Sequence, residues 1–249
     1  MIQSTQSADR PANHPTDPQR IRRNLEFVKD RIREACTAHG RDPSDIRLVA
    51  VSKYRPDDAI LAAREVGQLD FGENRMQDLA AKMSRIDQQD IEWHMIGNIQ
   101  TNKLRAICQR VDWIHSVDKF KYLEEIERRA SGRKTPVRVL LQVNISREPQ
   151  KGGLEPEEVE PLLERAASVE WAHLRVAGLM GMASLTSDEN VLRQQFASLR
   201  RLRDRLSPQG SDPASAIRIE ELSMGMSGDL ESAIAEGSTI VRVGTAIFG

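Results

Sequence analysis

Eight short apolar runs alternate with helical patterns along almost the whole chain, and this alternation constrains the fold more than any other feature. Each run is at most nine residues long and rich in Val, Ile, Leu or aromatic residues, as buried strands are. The runs lie at 46–52, 69–73, 91–97, 111–117, 137–144, 174–182, 217–224 and 240–248. Repeated strand–helix units of this kind predict a parallel sheet.

Helical patterns fill the intervals between these runs, and one further helix precedes the first run. The intervening helices are predicted at 56–66, 75–86, 101–110, 119–130, 155–168, 188–206 and 228–236. The preceding helix, 17–39, carries one apolar stripe at helical spacing. Asp17 is its predicted N-cap, and Ser227 is the predicted N-cap of the last helix.

The number and order of these elements predict an α/β fold built as a single (β/α)8 barrel of the TIM type. An open, doubly wound sheet is the alternative, and the lack of a GxGxxG loop after the first strand disfavours it. The chain ends with the eighth predicted strand, so we expect the N-terminal helix to cover the position of the missing last helix. The barrel domain is predicted to span 17–249, after a disordered polar leader at 1–16.

The charge balance limits the classes of partner. Lys and Arg number 36 and Asp and Glu 37, which disfavours a nucleic-acid binder. No apolar run is long enough to cross a membrane, and the leader lacks the apolar segment of a secretory signal. Two cysteines far apart in the sequence, Cys36 and Cys108, are typical of reduced thiols in a cytoplasmic protein.

The five histidines lack the spacing of a zinc site, so no metal site is predicted. His94 and His115 lie in predicted strands and are interpreted as structural histidines.

Lys53 directly follows the first predicted strand, at the end of the barrel where this fold places its active sites. Partial burial there would disfavour the charged ammonium, and a neutral amine is what a Schiff base with an aldehyde requires. The alternative is a lysine whose aliphatic stem lies on the protein while its ammonium stays in solvent. Its position alone leaves both interpretations open.

Two glycine-containing turns near the C-terminus predict an anion site. They follow strands seven and eight, and the loops after these two strands usually bind phosphate in this fold. Each turn offers backbone N–H groups that are free to bind an anion, as at the N-terminus of a helix. Ser223 and Thr245 can donate from their hydroxyls, and Arg242 can supply positive charge. Gly225 and Gly244 allow the backbone to approach a ligand closely. Ordinary turn glycines and helix caps are the alternative.

Six segments, in order along the chain, resemble the pyridoxal phosphate homeostasis protein family, whose members are similar to the N-terminal domain of alanine racemase. The segments are LVAVSKYRP at 48–56, FGEN at 71–74, WHMIGNIQTNK at 93–103, VNISREPQKGG at 143–153, GLM at 178–180 and LSMGMSGDLESAIAEGSTIVRVGTAIFG at 222–249. Together they span nearly all of the chain after the leader.

The resemblance implies that the protein binds pyridoxal 5′-phosphate (PLP) and takes part in intracellular vitamin B6 homeostasis. It implies that Lys53 holds the cofactor as a Schiff base and that Asn74 lies near it. It further implies that the phosphate is held by four residues of the last two strands and loops, namely Ser223, Arg242, Gly244 and Thr245. No catalysed reaction is established for the family, and transfer of PLP to apo-enzymes is the expected role.

The sequence departs from the family pattern at a few positions. Arg75 and Asn98 stand where the family often has an aromatic residue and a histidine, and Met182-Ala183 replaces an Ile-Pro that commonly follows GLM. These differences lie in the upper part of the expected pocket and leave Lys53 unchanged.

Two functions from different classes remain, a PLP carrier and a racemase-like enzyme. Racemisation needs an acid or base on each face of a planar carbanion. In the related racemases the second base is a tyrosine from an added C-terminal domain, supplied across a dimer. The two tyrosines here are Tyr54, beside Lys53, and Tyr122, in a predicted helix. The sequence therefore favours a non-catalytic, monomeric carrier whose partners are PLP and, transiently, apo-enzymes.

Overall fold

The computed structural model describes residues 16–207 and 215–249. Within these ranges eight parallel strands close into one barrel in the order of the chain. The strands are β1 (Arg47–Val51), β2 (Asp70–Glu73), β3 (Glu92–Met95), β4 (Trp113–Val117), β5 (Val137–Val143), β6 (Leu174–Gly181), β7 (Ile217–Ser223) and β8 (Ile240–Val243). The predicted (β/α)8 barrel is confirmed, and an open sheet is excluded. The predicted leader falls on residues outside the described ranges, apart from Thr16.

Helices follow the strands on the outside of the barrel. In the described ranges they are α1 (Pro18–Ala38), α2 (Asp57–Glu65), α3 (Met76–Arg85), α4 (Leu104–Ile107), α5 (Phe120–Ala130), α6 (Val159–Ala167), α7 (Glu189–Leu206), α8 (Leu230–Ala235) and α9 (Thr245–Phe248). Short 3-10 turns at Thr101–Lys103 and Pro156–Glu158 begin the fourth and sixth of them. The predicted helix is present in every interval, although α4 is much shorter than its pattern.

The last predicted strand, 240–248, is too long. β8 ends at Val243, and the residues from Thr245 to Phe248 form the one-turn helix α9. Ile247 and Phe248 are buried in the core, as strand residues would be. An apolar run alone does not separate a buried strand from a strand that turns into a buried helix.

Helix α1 completes the outer layer beside β8 and β1, where it contacts α2, α8 and α9. Its Asp17 carboxylate caps the first turn, as predicted. Asn24 donates to the backbone carbonyl of Ile247 at 2.8 Å, and Arg41 donates to that of Ile234 at 2.8 Å. The helix buries its apolar stripe, which comprises Ile21, Leu25, Val28 and Ile32. The N-terminal helix therefore covers the position of the eighth outer helix, with the single turn of α9 beside it.

The core has two layers, as expected for a filled barrel. One fills the barrel interior and comprises Val49, Trp113, Leu140, Met180 and Ile240. The other, larger layer lies between the strands and the surrounding helices. No helix in the two described ranges is both long and apolar enough to cross a membrane.

Cys36 and Cys108 are both free and buried. Burial raises the pKa of Cys108 to about 12, so its reactive thiolate is scarcely populated at neutral pH. We expect iodoacetamide to leave Cys108 unmodified in the folded protein at about pH 8 and to alkylate it in concentrated urea. Peptide mass spectrometry measures both states, and rapid alkylation of folded protein would contradict the burial described here.

Candidate functional site

A cavity of about 1030 Å³ opens at the carboxyl ends of the strands, the end at which the sequence analysis placed the site. Residues from the loops after β1, β2, β3, β7 and β8 line it. Five of the six predicted site residues are in its wall, namely Lys53, Asn74, Arg242, Gly244 and Thr245. The barrel thus brings together residues that are far apart in the sequence, since Lys53 and Thr245 are separated by 192 positions.

Lys53 lies two residues beyond the end of β1 and is exposed at the cavity. The expectation that it is partly buried is wrong, because β1 ends before it and the chain leaves the barrel in a turn. The Arg55 N–H closes this turn on the Ser52 carbonyl at 3.0 Å. Tyr54, the next residue, has a φ of +62°, a left-handed conformation that costs roughly 1–2 kcal/mol for a residue with a Cβ.

A buried ion pair supports the backbone just before Lys53. The Lys82 ammonium lies 2.6 Å from Glu73 Oε1 and donates to the Ser52 carbonyl at 2.8 Å. The Ser52 hydroxyl donates to the same carboxylate oxygen at 2.7 Å. Both charged side chains are buried. The pair therefore connects α3 and β2 to the turn after β1.

Lys82 was not predicted as a functional residue from the sequence, although its position carried a signal. It lies on the buried face of α3 with Met76, Leu79 and Met83. A lysine on an apolar helix face requires a buried partner. Glu73, at the end of a strand, was the available carboxylate.

The Arg242 side chain forms part of the cavity floor and is 5% exposed. Its Nη1 donates to Ser223 Oγ at 2.5 Å, and its Nη2 donates to the Gly181 carbonyl at 3.3 Å. Within residues 16–207 and 215–249, no carboxylate lies at ion-pair distance from this guanidinium. Burial lowers the pKa of Arg242 to about 10, which leaves it charged at neutral pH. The carboxylate of Asp229 acts on this charge only from beyond ion-pair distance. A buried cation whose hydrogen-bond partners are all neutral favours an anion in the cavity above it.

Ser223 lies beneath Arg242 and is fully buried, outside the cavity wall. Its role as a phosphate ligand stays a prediction. Ser227 and Gly228 of the same loop are in the wall instead. The prediction that Ser227 caps the following helix is wrong, because α8 begins two residues later than predicted, with Asp229 at the N-cap position.

Two glycines shape the loops after β7 and β8. Gly225 has a φ of +96°, and a Cβ there would lie 2.7 Å from the Ala233 Cβ, so the turn requires glycine. A Cβ on Gly244 would lie 3.2 Å from the Val51 carbonyl oxygen. The chain after β8 therefore lies close to the end of β1, and Thr245 and Lys53 line the same cavity.

His94 and His115 are fully buried in the barrel interior. Burial lowers the pKa of His94, and burial lowers that of His115 well below its ordinary value, which favours the neutral form of both rings. His94 Nδ1 lies 3.0 Å from His115 Nε2. Their hydrogen bonds to each other and to neighbouring strands make them part of the barrel framework.

One cluster at the lower end of the barrel has residue types that ligate metals. Within the described residues, ligand atoms of Asp70, Glu92 and His94 lie within 4.8 Å of one another, a grouping that their sequence spacing does not reveal. Arg47 pairs with both carboxylates, and Arg138 pairs with Glu92. Guanidinium groups therefore already supply the positive charge at this cluster.

Comparison with known proteins places the chain in a family. A family model described as the N-terminal domain of alanine racemase matches residues 16–249. The pyridoxal phosphate homeostasis protein of Pseudomonas aeruginosa is 41% identical over 229 residues, which cover 92% of this chain and 95% of the relative. The structure of PipY from Synechococcus elongatus with PLP bound matches at 34% identity and a TM-score of 0.77, over 92% of this chain and 100% of PipY.

A likeness to alanine racemases extends to the fold alone. The enzyme from Corynebacterium glutamicum is 16% identical with a TM-score of 0.66, and the match covers 94% of this chain but 62% of the racemase. The homeostasis proteins, in contrast, match at much higher identity along almost their whole length. The chain therefore belongs to the pyridoxal phosphate homeostasis protein family.

Proposed function

We propose that this protein binds PLP in the cavity at the carboxyl end of the barrel and takes part in intracellular vitamin B6 homeostasis. The observation that carries this proposal is that one cavity joins an exposed lysine, Lys53, to a buried cation without a carboxylate partner, Arg242. Membership of the homeostasis protein family and the PLP bound by PipY support it.

The residues of the cavity fit this cofactor. PLP supplies an aldehyde, which condenses with a primary amine, and a phosphate group with negative charge. Lys53 provides the amine at the mouth of β1. Arg242 supplies positive charge for the phosphate. The loops after β7 and β8 supply hydroxyl and backbone N–H donors, in Ser227, Gly228, Gly244 and Thr245.

Asn74 completes the wall on the side of β2, and we propose that it lies beside the cofactor. It is the first residue after β2 and is exposed at the cavity. The loop after β3 fixes its backbone, since a Cβ on Gly97 would lie only 2.1 Å from the Asn74 carbonyl oxygen. Only glycine at position 97 permits this approach.

The acid–base groups of the cavity favour a carrier over an enzyme. Its described wall holds Lys53 and one carboxylate, Asp78, and it includes no histidine and no tyrosine. Tyr54 is 60% exposed, and Tyr122 lies on α5, on the outside of the barrel. Carbanion chemistry such as racemisation requires positioned acids and bases on both faces of the reacting carbon, which this wall does not supply.

We further propose a cytoplasmic monomer that releases PLP to apo-enzymes. The free, buried thiols of Cys36 and Cys108 suit a reducing compartment. The cavity of one chain contains both Lys53 and Arg242, the residues proposed to hold the two ends of the cofactor. Its open mouth gives water and incoming amines access to Lys53, which is what release requires.

Transfer and turnover distinguish the two functions in one experiment. The protein, loaded with PLP and desalted, is mixed with an apo-aminotransferase, and recovered transaminase activity is followed. In parallel, chiral chromatography follows L-alanine and other amino acids for inversion. A carrier restores activity and causes no more inversion than free PLP. Inversion much faster than with free PLP, and lost in Lys53→Ala, would establish the racemase-like alternative.

The anion site predicts a specific loss in Thr245→Ala. We expect PLP affinity to fall at least tenfold, because a hydrogen bond to a charged group contributes about 1.5–3 kcal/mol. Thr245→Ser keeps the hydroxyl and serves as the matched control. Absorbance titrations are run with PLP and with pyridoxal, which lacks the phosphate. The effect should disappear with pyridoxal, and equal wild-type affinity for the two ligands would contradict an anion site.

A further inference from the structure

A hydrogen-bonded path crosses the barrel interior from its lower end to the floor of the cavity. Asp70 Oδ1 lies 3.0 Å from His94 Nε2, and His94 Nδ1 lies 3.0 Å from His115 Nε2. His115 Nδ1 lies 2.9 Å from Ser223 Oγ, which accepts from Arg242. We propose that His94 and His115 are positioning residues that hold the Arg242 guanidinium at the cavity floor. In this arrangement, called the relay below, every hydrogen bond of the path points toward Asp70. The Ser223 hydroxyl therefore donates its proton to His115, and its oxygen accepts from Arg242.

The carboxylate at the lower end sets the direction of the relay. A carboxylate only accepts, so His94 carries a proton on Nε2 and donates it to Asp70. A neutral His94 then has an acceptor at Nδ1, to which His115 Nε2 donates. A neutral His115 in turn has an acceptor at Nδ1, and the Ser223 hydroxyl donates to it.

The guanidinium at the upper end is consistent with the same direction. An arginine side chain has only donors, so Ser223 Oγ accepts from Arg242 Nη1. The hydroxyl has one proton, and the remaining partner within hydrogen-bond distance is His115 Nδ1. The two ends of the path thus agree on one arrangement of donors, with both rings protonated at Nε2.

The surroundings keep both rings neutral and Asp70 charged. Both rings are fully buried, and burial is the main cause that lowers the pKa of His115, which also lies near His94, Arg242 and Arg47. Burial also lowers the pKa of His94, against the opposing effect of Asp70. Burial raises the pKa of Asp70, but this pKa lies below its ordinary value because His94 and Arg47 donate hydrogen bonds to the carboxylate and Arg47 adds positive charge.

The relay explains how a buried cation stays in place although none of its hydrogen-bond partners is a carboxylate. Arg242 is held at two nitrogens, by Ser223 and by the Gly181 carbonyl, while it still lines the cavity. Ser223 is then an acceptor for Arg242 and has no proton left for a ligand. Its contribution to binding an anion acts through the position of the guanidinium.

The tautomers of the two histidines test the relay in the protein without PLP. Protein labelled with ¹⁵N at its five histidines is studied by long-range ¹H–¹⁵N correlation at neutral pH, and His94→Gln and His115→Gln assign the signals. We expect both rings to carry one proton, on Nε2. A proton on Nδ1 of His115, or two protons on either ring, would overturn the relay whether or not the protein binds PLP.

A substitution at Asp70 should change the tautomer of His115 on the other side of the barrel interior. Asp70→Asn introduces an amide that can donate to His94, so the opposite tautomer becomes accessible and the His115 ring signals should shift toward Nδ1–H. Glu92→Gln is the matched control, because Glu92 pairs with Arg47 and Arg138 but has no hydrogen bond to either histidine. Unchanged His115 signals in folded Asp70→Asn would show that the path does not couple its ends.

The effect on the cavity rests on the proposed function and is measured as PLP affinity. Gln at position 115 retains one donor and one acceptor, whereas Phe retains neither. We expect His115→Phe to bind PLP about tenfold or more weakly and His115→Gln to stay within about threefold of wild type. Equal affinities in the two variants, both folded by near-UV circular dichroism, would remove the positioning role.

Discussion

Lys82→Met should lower the free energy of unfolding by about 3–5 kcal/mol. The substitution removes the cation that neutralises Glu73 and leaves a buried carboxylate, one of whose oxygens, Oε2, already has no hydrogen-bond partner among the described residues. It also frees the Ser52 carbonyl, to which Lys82 donates. Because Ser52 precedes Lys53, the turn carrying that lysine should loosen as well.

Urea denaturation followed by circular dichroism measures this loss. The exposed Lys134, changed to Met, is the control, and its effect should stay within about 0.5 kcal/mol. The double variant Glu73→Gln/Lys82→Met should recover part of the stability, because it removes the uncompensated charge. A loss below about 1 kcal/mol for Lys82→Met alone would contradict the structural role of the pair.

Lys53→Ala should abolish retention of PLP through desalting while leaving the fold intact. Lys53 is exposed, so its removal should change the free energy of unfolding by no more than about 0.5 kcal/mol. Without the amine, PLP is held by the anion site alone and should dissociate during gel filtration.

Lys53→Arg separates charge from covalent attachment, since it keeps the positive charge but not the primary amine. We expect it to lose PLP as the alanine variant does. Lys103→Ala, at a lysine outside the cavity wall, should retain PLP like the wild type. Retention of PLP by both Lys53 variants at wild-type stoichiometry would contradict attachment at this residue.

The order of strands and helices was predictable because a closed parallel barrel imposes a local rhythm on the sequence. Each strand is buried on both faces and each helix on one, so the two apolar patterns alternate. Errors arose where the pattern is ambiguous. Buried Ile247 and Phe248 have the same apolar character in a helical turn as in a strand.

The site was predictable to the extent that it depends on strand ends. Lys53, Asn74 and Thr245 face the cavity because they follow β1, β2 and β8, and the end of a parallel strand is visible in the sequence. The sequence did not show which residues at the strand ends are buried and which are exposed at the cavity. Ser223 belongs to its strand and lies below the floor, whereas Ser227, four residues later, reaches the wall.

Contacts between side chains across the barrel interior could not be predicted from the sequence. His115 and Ser223 are 108 residues apart, and their hydrogen bond depends on how strands β4 and β7 face each other through the barrel. The interpretation of His94 and His115 as structural histidines identified neither their partners nor their direction. Such pairs follow from the closure and stagger of the whole barrel, and not from any local pattern.

The most direct test is to locate the attached cofactor in the wild-type protein. Loaded protein is treated with borohydride, which reduces a carbon–nitrogen double bond to a stable amine, and is then digested and mapped by mass spectrometry. We predict one phosphopyridoxyl group per chain, on the peptide that contains Lys53. Modification confined to another lysine, or no modification of protein that retains PLP through desalting, would contradict Lys53 as the residue that holds the cofactor.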